Sequence, residues 1–143
     1  EATLQAPTPL EFEALDVAGA SEVNIALTMM TDEAGIPTFG ISGVPSWEAE
    51  PMPAEVGEVQ RWYVKNETDW DHPLHLHGFF FHELNADGTA KDNEWRDTLN
   101  VPKQKAVEFA VQYDNRPGMW MFHCHILDHS DAGMLGMIDL RRP

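Results

Sequence analysis

The chain has 143 residues, enough for one domain whose hydrophobic core stands without disulfide staples. Apolar residues make up 43% and charged residues 23%, the proportions of a soluble globular protein, and no window approaches the roughly 20 consecutive apolar residues of a membrane-spanning helix. Nine Lys and Arg against 24 Asp and Glu give a net charge of −15, a field that repels phosphate backbones and anionic membranes and draws cations. Neither nucleic-acid binding nor membrane insertion is therefore expected, and without a basic segment leading into an apolar run no signal peptide is expected within this sequence.

Residues 1–20, with Pro7, Pro9 and frequent acidic positions, read as an extended arm or linker ahead of a domain over 21–143. From Ser21 the alternation of Val23, Ile25 and Leu27 with Asn24, Ala26 and Thr28 predicts a strand. A turn over Asp32–Gly35 leads to a short strand over Thr38–Ile41. The stretch Val44–Pro53, which holds three prolines, is expected to be a connecting loop. Strand signals recur at Val59–Val64, at His75–Leu84 as one strand, and at Ala106–Val111, Trp120–Cys124 and Leu135–Leu140. Asn85-Ala86-Asp87-Gly88 marks a tight turn, and Ile126–Asp131 is long enough for one helical turn. About eight short strands divided by turn signals predict an all-β Greek-key sandwich or barrel.

Six of the seven histidines fall in two clusters, His72-Pro73-Leu74-His75-Leu76-His77 and His123-Cys124-His125-Ile126-Leu127-Asp128-His129, the second followed by Met134. Only His82 stands apart. Side chains alternate faces along a strand, so residues i and i+2 share a face ~6.6 Å apart. His123 and His125 therefore point one way and Cys124, the only cysteine, points the other. His75 and His77 likewise share a face. If the two strands are neighbours, four imidazoles meet on one side. On the other, Cys124 meets His129 and Met134 from the following loop and His72 from the strand entrance, where Pro73 is expected to break the ladder. Imidazole, thiolate and thioether together suit copper, with zinc the main rival, and a His₂Cys set with a weak axial Met is the donor set of blue copper sites. The imidazole-only side suits copper that binds dioxygen. Cys124 is covalently continuous with both His123 and His125, which gives an electron a short route between the two sides.

The two motifs, H-x-x-H-x-H at His72–His77 and H-C-H-x-x-x-H-x-x-x-x-M at His123–Met134, resemble those of the C-terminal cupredoxin domain of multicopper oxidases, the family of laccases and bacterial copper oxidases. The resemblance runs from about Gly57 to Leu140 and includes Trp95–Pro102 and Pro117–Phe122. It implies a cupredoxin fold, with His72, Cys124, His129 and Met134 as ligands of a type 1 copper. His75 would bind a type 2 copper, and His77, His123 and His125 a type 3 pair, with His123, Cys124 and His125 forming the electron path. It further implies one-electron oxidation of a small reducing substrate (a phenol, an aromatic amine or a low-valent metal ion) coupled to reduction of O2 to water, and a periplasmic or extracellular location.

The family's trinuclear cluster uses eight histidines, and this chain supplies four. The rest would come from an N-terminal cupredoxin domain on another polypeptide or a longer chain, or from a homo-oligomer. Where bacterial relatives often carry Glu after the last type 1 histidine, this chain has Ser130, with Asp131 next to it as a candidate proton donor. An alternative reading is an isolated blue-copper electron-transfer or copper-binding protein without oxidase activity, and a copper nitrite reductase is a third. Met119 and Met121 read as strand packing, Trp95 and Trp120 as anchors, and Lys103 and Lys105 as a solvated strand edge.

Overall fold

The computed structural model describes residues 11–143, so the first half of the expected arm, residues 1–10, lies outside the described residues. Among the described residues there are ten strands and one short helix: β1 (Ser21–Thr31), β2 (Pro37–Ile41), β3 (Met52–Glu55), β4 (Val59–Asn66), β5 (His72–Leu76), β6 (Phe81–Leu84), β7 (Thr98–Val101), β8 (Ala106–Gln112), β9 (Gly118–Cys124), α1 (Leu127–Asp131) and β10 (Leu135–Arg141). They form two five-stranded sheets, ordered β2-β1-β4-β8-β6 and β3-β10-β9-β5-β7. All pairings are antiparallel except β1 with β4 and β10 with β3.

Period-2 patterning explains how the sheets face each other. In β4, Trp62, Val64 and Asn66 are buried while Tyr63 and Lys65 are exposed; in β10, Ile138 and Leu140 point inward. Trp62 joins the layers. It stacks on Phe109 of its own sheet at 5.4 Å and meets Phe122 of the opposite sheet edge-on at 5.1 Å. Each such pair contributes about 0.5–1.5 kcal/mol beyond the area it buries.

The all-β sandwich is as expected, with three local differences. The predicted strand His75–Leu84 is two strands in different sheets, β5 and β6. Gly78, at φ 81°, turns the chain between them, and a Cβ there would overlap the Trp120 ring. Two strands were not foreseen. The expected loop over Val44–Pro53 ends in β3, which tolerates Pro53 because it is the edge strand of its sheet. At the other edge, β7 falls in the Trp95–Pro102 segment. Lastly, Pro73 does not break the ladder: His72 pairs with Val101 and Pro73 with Asn100 inside β5.

Residues 11–20 hold no strand or helix, and they pack onto β6. The Leu15 N–H donates to His82 Nε2 at 3.0 Å, while Phe12 and Trp95 each lie edge-on to the His82 ring at 5.4 Å. His82 is fully buried and stays neutral because burial pulls its pKa below the usual value, against a smaller opposing pull from the Glu83 carbonyl. A histidine with a depressed folded pKa destabilises the folded state once pH falls below the unfolded value of about 6.5. Below that point the opened state takes up a proton on His82 that the closed state, with Nε2 accepting the Leu15 N–H, resists, so acidification favours opening of this contact. The protection factor of the Leu15 amide is therefore expected to fall between pH 7 and pH 5 far more than those of core amides. In His82→Phe, which removes the acceptor, the same amide should show little protection at both pH values.

Candidate metal centre

Strands β5 and β9 are hydrogen-bonded neighbours, with Leu74 opposite Cys124 and His75 opposite His123. That register decides the site. Along β5, His72, Leu74 and Leu76 face the core and His75 faces out. Along β9, Phe122 and Cys124 face the core and His123 faces out. One pair of strands thus builds two donor sets, back to back through the thickness of a single sheet.

The inner set centres on Cys124, which is fully buried. Its Sγ lies 3.5 Å from His72 Nδ1 and 3.7 Å from His129 Nδ1, and the two Nδ1 atoms are 3.0 Å apart. His129 comes from α1, and backbone bonds fold that helix back onto the strand. Met134 N–H donates to the His129 carbonyl at 2.9 Å, and Cys124 N–H donates to the Met134 carbonyl at 3.1 Å. Met134 is itself fully buried in the core beside them. Burial, with help from the charge of His129, pushes the His72 pKa down to about 4, and burial raises that of the Cys124 thiol. His72 is therefore unprotonated at neutral pH.

The outer set is more open. His77 and His123 bring their Nε2 atoms within 3.0 Å. The His75 ring lies 4.8 Å from that of His77 and 5.5 Å from that of His123. Carbonyl oxygens only accept, so two tautomers are fixed. His75 Nδ1–H donates to the Asp97 carbonyl at 2.9 Å and His123 Nδ1–H to the Cys124 carbonyl at 2.8 Å, which puts the lone pair of each ring on Nε2, that of His123 facing His77 Nε2. His125 is exposed and stands a little apart, its ring 5.6 Å from His75 and 5.8 Å from His123. Its backbone N–H donates to the Pro73 carbonyl at 2.7 Å, which ties it to β5. His82, on the other sheet, joins neither set.

The sequence model of the multicopper oxidase family matches residues 17–141. The chain belongs to the multicopper oxidases. The match reaches well before Gly57, where the motif resemblance began, and takes in β1 and β2. Among the relatives, the multicopper oxidase MmcO of Mycobacterium tuberculosis is 37% identical over 69% of this chain and 19% of its own length. A laccase of Haloferax volcanii is 29% identical over 93% of this chain and 24% of its own. The crystal structure of the multicopper oxidase McoA from Aquifex aeolicus superposes with a TM-score of 0.76 at 29% identity, over 92% of this chain and 32% of that one. The chain thus spans about a seventh to a quarter of the length of the curated relatives it matches. Copper is the metal this family implies, and the inner set fits it: two imidazole nitrogens and a thiol sulfur, all within 4.8 Å of one another, with His72 and Cys124 buried and His129 half-buried.

Several residues around the site were missed in the sequence. Phe39 of β2 stacks on the His129 ring at 4.3 Å, and Trp70 lies 6.3 Å from it. Asp97 and Thr98 hold His75. No pattern near the histidine motifs points to Phe39, which reaches His129 only because β2 lies beside α1. Thr98 was in reach, since it falls in a segment noted for its family resemblance.

Proposed function

We propose that this chain is the type 1 copper domain of an oxidase and carries half of the trinuclear cluster. His72, Cys124, His129 and Met134 would hold the type 1 copper, His75 the type 2 copper, and His77, His123 and His125 the type 3 pair. Copper at these positions supplies one-electron redox chemistry with a small reducing substrate on one side and four-electron reduction of O2 on the other. The observation that carries this reading is the back-to-back placement of a buried thiol–imidazole set and an outward imidazole set across one sheet.

The chain's own residues divide the work. Cys124 and its two peptide neighbours link the sets covalently. His129 is half-buried against Phe39 and Trp70, and the exposed Ile126 and Leu127 leave an apolar approach beside it for a reductant. The outward imidazoles lie on an open sheet face, as a cluster completed by four more histidines requires. Those histidines would come from an N-terminal cupredoxin domain, on the same or another polypeptide, or from a second copy. Asp131, next to Ser130, is the nearest acidic candidate in sequence for proton delivery. Periplasmic or extracellular placement belongs to the same proposal.

The test is copper stoichiometry, visible absorption and O2 uptake on purified protein, with native mass measured in parallel. One tightly bound copper per chain with an intense thiolate band, and O2 uptake only when a complementary domain or a defined oligomer is present, supports the reading. Copper binding with no O2 uptake in any assembly would leave a blue-copper carrier. No copper uptake would overturn the reading altogether.

A further inference from the structure

The tautomer of His72 is traceable to the backbone through two buried side chains that no metal motif contains. Asn66, at the end of β4, is fully buried, and its amide nitrogen faces two carbonyls, Trp70 O at 2.7 Å and Val101 O at 3.0 Å. Carbonyls accept only, so this end of the side chain is the NH₂ and the other is the oxygen. Asn66 Oδ1 in turn accepts the Thr68 N–H at 2.9 Å and lies 2.9 Å from the Thr68 hydroxyl. Thr68 is also buried. Its single hydroxyl proton has three acceptors in reach: Asn66 Oδ1, the Trp70 carbonyl at 3.2 Å and His72 Nε2 at 2.6 Å. Given to either carbonyl oxygen, it leaves the hydroxyl oxygen as the acceptor toward His72 Nε2, and given to Asn66 it also fills the second lone pair of that buried oxygen.

We infer that Thr68, oriented by Asn66, is a positioning residue for the inner metal site: it accepts the Nε2–H of His72 and so holds the Nδ1 lone pair toward Cys124 and His129. Rotation of the ring is blocked by the same bond, since His72 sits in β5 with Nδ1 already 3.5 Å from Sγ. A metal-bound imidazole needs its second nitrogen engaged in this way, and loss of such a partner typically costs 10–100-fold in metal affinity. The loop between β4 and β5 is therefore a functional part of the site and not a simple connection. The inference rests on the reading of His72 as a copper ligand, but half of its test does not.

That half is the ¹⁵N long-range NMR spectrum of His72 in the metal-free protein. The expected result is the Nε2–H tautomer in the unaltered protein and in Thr68→Ser, and a mixture of tautomers in Thr68→Val, which keeps the side-chain shape and removes the acceptor. An Nδ1–H tautomer in the unaltered protein would overturn the proposal without any variant being needed. The other half is copper titration. Thr68→Val should bind about 10–100-fold more weakly with a shifted thiolate band and reduction potential, and Thr68→Ser should restore all three. Affinity, band and potential all unchanged in Thr68→Val would also overturn it. Failure of every protein to bind copper would sink the copper reading, and the metal-free spectra would still judge the role of Thr68.

Discussion

Cys124→Ser is expected to abolish the visible thiolate band and to weaken copper binding at the inner site by more than about a hundredfold, the upper range for loss of a mere supporting contact. The reason is donor chemistry more than shape. Serine nearly preserves the volume of a fully buried side chain, so the sheet register that places His72 and His129 is retained. What is lost is the soft, ionisable donor, because an alcohol does not deprotonate in the range where a thiol does. Proton counting provides a second readout. Burial raises the Cys124 pKa above its usual value, so the metal-free protein holds a neutral thiol at neutral pH. His72, held down to about 4, is already unprotonated there. Copper uptake should then release a proton from Cys124, and affinity should fall about tenfold per unit of acidification. Calorimetry in buffers of different ionisation enthalpy measures that proton directly. In Cys124→Ser both the proton release and the band should vanish, while metal binding by the outward histidines persists. A variant that keeps the band would refute the assignment of Cys124.

Gly133→Ala should be the most destabilising single-methyl change near the site, by about 3–5 kcal/mol. Gly133 lies at φ 118°, where a Cβ is strained, and its missing methyl would overlap the Phe39 carbonyl oxygen and come within 3.0 Å of Pro45. A backbone oxygen cannot rotate away as a side chain would. Three segments meet here through backbone bonds: Phe39 N–H to Ala132 O, Ser46 N–H to Gly133 O and Gly133 N–H to Ser130 O. Pushing them apart would displace Phe39 from its stack on His129 and Met134 from the core. Thermal unfolding should drop by about 10–15 °C. Gly35→Ala separates the two causes, since Gly35 also has a positive φ, 81°, but open space where its Cβ would be. It should lose only the strain component. Equal shifts in the two variants would show that the close approach to Phe39 costs nothing.

The division of the candidate donor residues into two faces was legible in the sequence because that division is local. Along any strand His123 and His125 must point away from Cys124, whatever the strand pairs with. The two-sided site needed only the assumption that the strands are neighbours, and the β5–β9 register satisfies it. What the sequence misplaced depends on pairing between distant segments. His75–Leu84 reads as one apolar run, yet the turn at Gly78 sends its halves to opposite sheets, and the corner is held by distant residues, Trp120 packed on that glycine and Arg116 bonded to its carbonyl. Met52–Glu55 carries a proline and looks like loop, but becomes a strand because β10 offers it an edge.

Phe39 and Trp70 beside His129, and Asn66 and Thr68 behind His72, likewise carry no ligand signature of their own. Side-chain alternation comes from the covalent geometry of each strand, so the sequence alone determined which atoms could bind metal and on which side. Which strands lie together, which neighbours orient each imidazole and what shields the thiol come from hydrogen bonds and contacts between segments far apart in the chain. Only the tertiary structure decided those.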